Sequence, residues 1–74
     1  MKPTTEKATR EYIESLQVGD LAPDCFGKLS EITEIYGLGV NSRGGKYICY
    51  YTKLSDNATI SRSLIEGQPY HYQL

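Results

Sequence analysis

Between Gly37 and Lys46 the chain reads Gly-Leu-Gly-Val-Asn-Ser-Arg-Gly-Gly-Lys, four glycines and two cations of the kind that can wrap a phosphate in backbone N–H groups. The spacing argues against that use. A G-x-x-x-x-G-K-[ST] loop counted from Gly39 finds its second glycine at Gly44, but Gly45 stands where the lysine belongs, and Lys46 is followed by Tyr47 where the motif has Ser or Thr. A dinucleotide G-x-G-x-x-G counted from Gly37 meets Ser42 in place of its last glycine. The stretch is expected to be a wide hairpin loop in which Asn41, Gly44 and Gly45 supply positive φ. Arg43 and Lys46 then form a solvated rim with a residual capacity for anions.

Tyrosine is the second feature. The chain has seven, against one phenylalanine and no tryptophan, and tyrosine suits surfaces that are half apolar and half wet. Neighbours on a strand point opposite ways, so Tyr50 and Tyr51 cannot both enter a core. Tyr47 shares a face with Tyr51, and Tyr70 shares one with Tyr72. These four are the candidate partner-binding residues, as an exposed aromatic patch. The competing uses are cross-strand pairs that stiffen the sheet and stacking on single-stranded nucleic acid.

Asp20, Asp24, Glu31, Glu34, Glu66 and His71 could supply an acid/base pair, but no spacing brings two of them together, so no catalytic residue is assigned. His71, between Tyr70 and Tyr72, is expected to point outward with the tyrosines inward. Cys25 and Cys49 are 24 residues apart with no C-x-x-C and one histidine, which leaves no zinc ligand set; no metal or cofactor is expected. The N-terminal MKPTTEKATREY has no apolar h-region, so the expectation is a cytoplasmic chain with two reduced thiols. A Cys25–Cys49 disulfide is the alternative. Eight basic and nine acidic residues leave a net charge of −1, without the basic field that drives non-specific nucleic-acid binding. No apolar run is long enough to span a membrane.

The elements that must position these residues are set by period and punctuation. Residues 1–17 read as a loose tail and then a helix, about a dozen residues from Thr5, with Ala8, Tyr12, Ile13 and Leu16 on one stripe. Glu6 with Arg10, Lys7 with Glu11 and Arg10 with Glu14 are each four apart. From Val18 onward glycine, tyrosine and β-branched residues take over, and residues 18–74 read as one β domain. Its strands are DLAPD, KLSEITEIY, KYICYYTKL, TISRS and PYHYQL; SDNA is a turn and LIEG a single tight helical turn before the last strand. In KLSEITEIY, Leu29, Ile32 and Ile35 recur every three residues, as on a helix; Gly27 and Gly37 bracket only nine residues, so a strand is expected, with a bulge that lets Leu29 and Ile32 face the same side.

This order, with VGDLAP at the first strand and ISRSLIEG before the last, resembles the SH3-like small barrels. The resemblance implies a mainly β, five-stranded barrel preceded by an α-helix, with a 3₁₀ turn before the last strand. The aromatic-acidic loop and tryptophan with which Src-homology-3 domains hold proline-rich ligands are absent. In length and layout the chain is also similar to the plasmid-borne type II dihydrofolate reductases. Their Val-Gln-Ile-Tyr pore segment is replaced here by Thr59-Ile60-Ser61-Arg62, so no active-site residue carries over. It looks like the small uncharacterised cassette- and phage-encoded barrels of bacterial mobile elements. The functional expectation is a non-enzymatic interaction module, self-associating or docking a protein through a tyrosine-rich sheet. The alternatives are a nucleic-acid-binding adaptor and a pore-type oligomeric enzyme.

Overall fold

A computed structural model describes residues 3–73. Four strands, β2 (Leu21–Pro23), β3 (Leu29–Val40), β4 (Lys46–Lys53) and β5 (Thr59–Ile65), form an antiparallel meander in the order β2-β3-β4-β5. This sheet curls into a half-barrel. A second, two-stranded sheet pairs β1 (Pro3–Lys7) with β6 (Pro69–Gln73), and a short helix, α1, spans Arg10–Ser15. The chain is mainly β as expected, but with six strands in two sheets instead of five in one.

The N-terminal segment departs most from its sequence pattern. Part of the expected helix and tail is strand β1, in register with β6 from Pro3 opposite Gln73 to Lys7 opposite Pro69. The pairing continues as Ala8 N–H donates to Gln68 O at 3.0 Å and Gly67 N–H donates to Ala8 O at 2.8 Å. Charge pairs four apart stabilise a helix by only about 0.2–0.5 kcal/mol each, too little to outweigh the five-residue ladder with β6. Thr9 then starts the helix, its side-chain oxygen accepting from Tyr12 N–H at 3.1 Å. Ile13 and Leu16 enter the core with Ala8, and α1 packs against β4.

The three-residue period in β3 has a defined cause. Ile32 lies opposite Thr52, Ile35 opposite Tyr50 and Leu38 opposite Ile48, with register shifts between Ile32 and Glu34 and between Ile35 and Gly37. Each shift is a bulge that adds one residue, at Thr33 and at Tyr36, and converts the strand's period of two into three. Ile32, Ile35 and Leu38 therefore share the inner face with Ile48, Tyr50 and Thr52 of β4.

Leu64 lies opposite Ile48 and is buried, so Leu64 and Ile65 extend β5. A two-residue turn at Glu66-Gly67 then leads into β6, closed by Gln68 N–H to Ile65 O at 3.1 Å, where a 3₁₀ turn was expected. Pro23 closes the short edge strand β2, where its missing N–H costs no ladder bond inside the sheet.

Candidate interaction face

Alternation along β4 sorts its tyrosines. Ile48, Tyr50 and Thr52 are fully buried on the inner face, so Tyr47, Cys49 and Tyr51 project outward and are half-buried. Tyr50 completes the core by donating its phenol to Pro23 O at 2.6 Å. Desolvation in that position pushes its pKa up, partly offset by Arg62.

The bulge at Tyr36 places that ring on the outer face as well. It packs on Tyr51 with centroids 4.7 Å apart and planes tilted by 37°, and remains 50% exposed. The neighbouring glycines make room for this aromatic floor. A Cβ on Gly39 would lie 3.1 Å from Tyr47 Oη and 3.3 Å from its ring carbon Cζ, so the Tyr47 ring covers the bare backbone there. Tyr36, Tyr47 and Tyr51 are thus one surface. Tyr36 was not among the residues singled out by sequence; its signal was the three-residue period that required a bulge.

Tyr70 and Tyr72 do not belong to that surface. They share a face of β6, and it is the inner one, as expected of tyrosines that flank an outward His71. Tyr70 is 8% exposed, stacked on Tyr12 with centroids 5.7 Å apart and planes 4° from parallel. Tyr72 stacks on Tyr70 at 5.6 Å and donates its phenol to Glu6 Oε1 at 3.0 Å. Burial raises the pKa of Tyr70 and of Tyr12. The expected exposed patch of four tyrosines is corrected here: Tyr70 is core, and the second pair stiffens the β1–β6 sheet against α1. His71 between them is exposed, as expected.

The glycine loop is closed on itself. Asn41 Oδ1 accepts from Arg43 N–H at 2.9 Å and Gly45 N–H at 3.0 Å, and Asn41 O accepts from Gly44 N–H at 3.0 Å. These amides have partners within the loop, and Gly44 alone in it takes positive φ, at 83°. Asn41 and Gly45 do not, because the side chain of Asn41 makes the turn instead. Lys46 N–H donates to Glu66 Oε1 at 3.0 Å. Arg10 joins the loop to that carboxylate, with Nε 3.0 Å from Glu66 Oε1 and a guanidinium N–H donated to Gly44 O at 2.8 Å. Arg43 is exposed, whereas Lys46 alternates onto the face opposite Tyr47 and is half-buried.

Two of the candidate carboxylates, Asp20 and Asp24, hold structure. Asp24 is buried, its carboxylate accepting from Phe26 N–H at 2.8 Å, Lys28 N–H at 3.0 Å and Ser30 Oγ at 2.7 Å, while Arg62 donates to its carbonyl. Asp20 accepts from Gln17 N–H at 3.0 Å. Cys25 and Cys49 are free, one exposed and one half-buried. Among the described residues no three His, Cys, Asp or Glu side chains cluster to hold a metal, and no helix is long and apolar enough to cross a membrane.

The geometry therefore offers contact more than chemistry: an outer sheet face with three tyrosines at its centre, and Glu31, Glu34 and Lys53 around them. No protein-family model matches the chain, and neither a curated protein nor a solved structure matches it.

Proposed function

We propose that this chain is a non-enzymatic interaction module on a small barrel of SH3-like type, docking a protein partner through the outer face of β3–β4–β5. The observation that carries this reading is the Tyr36–Tyr51 pair, packed at 4.7 Å with Tyr36 left 50% exposed. Rigid aromatic rings that are half apolar and half hydrogen-bonding are the residues on which protein interfaces concentrate their affinity. Glu31 and Glu34 flank them and Lys53 is the basic residue nearby on β4, so the face lacks the basic track that single-stranded nucleic acid requires.

The test is affinity capture from the source cell with the wild-type chain and with the double variant Tyr36→Ala/Tyr51→Ala, each checked for folding by circular dichroism. Partners captured by the wild type should fall at least about tenfold with the double variant, as loss of two interface anchors implies. Equal capture by the two would overturn the proposal.

A further inference from the structure

We infer that two copies of this chain join antiparallel through the free edge of β3, about a two-fold axis at Gly39. β3 is twelve residues long, but β2 pairs only with Leu29–Glu31. Just beyond, Ile32 donates to Asp20 O and accepts from Gly19 N–H, both at 2.9 Å. From there to Val40 no strand lies along the outer side of β3 among the described residues.

Ile32 shows which backbone groups point outward. Carrying that alternation through the bulges at Thr33 and Tyr36 makes Ile35, Leu38 and Val40 the next outward positions, each with an N–H and a C=O to offer. Folded proteins blunt such edges with charges, proline or bulges. The two bulges protect the first half of this one. Gly37–Val40 has none of these devices, and Leu38 and Val40 are each 56% exposed.

A second copy is the occupant because the edge is complementary to itself. β3 carries Glu31 and Glu34 toward its start, and Arg43 lies just past its end, with no charge between Glu34 and Arg43. An antiparallel copy brings each Glu34 toward the opposite Arg43, whereas a parallel copy would set like charges side by side. With the axis at Gly39, Leu38 exchanges both backbone bonds with Val40 of the other copy, and Val40 with its Leu38, four bonds in all. The four apolar side chains then meet on the inner face, and the two sheets become one. The contact is isologous, so it closes at two copies. It does not depend on what the tyrosine face binds.

Sedimentation velocity at about 100 μM, together with amide hydrogen exchange, tests this. The wild type should run at twice 8.3 kDa, with the Leu38 and Val40 amides protected. Leu38→Lys/Val40→Lys alters side chains exposed in the single chain, so it should keep its circular dichroism, run as a monomer and lose protection only at the amides of positions 38 and 40. Tyr36→Ala/Tyr51→Ala should remain dimeric. A monomeric wild type overturns the inference. So does a dimer that survives the lysine pair, or one that the tyrosine pair abolishes.

Discussion

The phenol of Tyr50, on the central strand β4, donates to the carbonyl of Pro23, on the edge strand β2, at 2.6 Å and fully buried. This bond crosses beneath β3 and ties the short edge strand to the core, which three residues of ladder would do weakly.

Replacing Tyr50 by Phe keeps the ring and removes the donor, leaving a buried carbonyl unpaired. The expected cost is about 1–3 kcal/mol in urea unfolding. Tyr51→Phe, on the outer face, should stay within about 0.5 kcal/mol. Equal losses would mean that the Pro23 contact contributes nothing specific.

The same burial sets an alkaline limit. Desolvation raises the pKa of Tyr50, Tyr70 and Tyr12 above the ordinary 10.0, so the fold favours their neutral forms. Stability from this source is complete below the unfolded phenol pKa of about 10 and is lost as pH climbs beyond it toward the folded values. Unfolding midpoints should therefore fall above about pH 10, and less steeply in Tyr50→Phe, while absorbance at the phenolate band shows the late tyrosines ionising together with unfolding.

Glu66 works at the opposite end of the scale. The Lys46 N–H, and after it Arg10, hold its carboxyl below the usual carboxylate range. Its stabilisation is complete at neutral pH and is lost as pH falls below the unfolded value near 4.3 and through the lower folded one. The wild type should thus exceed Glu66→Gln in urea midpoint at pH 7, with the gap narrowing toward about pH 3. A gap independent of pH would show that the carboxylate's charge is irrelevant.

Two glycines with similar backbones should respond differently. Gly44 (φ +83°) has open space where a Cβ would go, so Gly44→Ala should cost only the left-handed backbone strain, about 1–2 kcal/mol. At Gly27 (φ +80°) a Cβ would lie 3.0 Å from His71 Cδ2 and 3.2 Å from the His71 carbonyl oxygen, which is backbone and cannot swing aside. Gly27→Ala should cost about 2–4 kcal/mol, strain plus overpacking. Thermal or urea unfolding of the two variants decides, and equal costs would refute close docking of β6 on the β2–β3 turn.

Much of the β architecture was legible in the chain. The alternation in KYICYYTKL marked β4, DLAPD and TISRS marked β2 and the start of β5, and SDNA marked the turn between β4 and β5, where Asn57 takes positive φ at 68°. The period of three in KLSEITEIY pointed to a bulge between Leu29 and Ile32; β3 has two, but both lie later, at Thr33 and Tyr36, and Leu29 stays exposed on the face opposite Ile32. β1 was not legible, because its ladder depends on β6, more than sixty residues away, while its charges are spaced as on a helix.

The candidate site divides in the same way. Covalent geometry alone places Tyr50 and Tyr51 on opposite faces and Tyr47 with Tyr51, so the sequence by itself determined that one tyrosine of the doublet must face outward. Which one depended on distant neighbours: Pro23 O receives the phenol of Tyr50, and the bulged Tyr36 meets the ring of Tyr51. Tyr70 and Tyr72 share a face by the same local rule, yet Tyr12 of α1 stacks on that face and Tyr70 joins the core. Side-chain alternation is a property of any extended backbone. Burial is a property of what packs against it, and only the tertiary structure decides that.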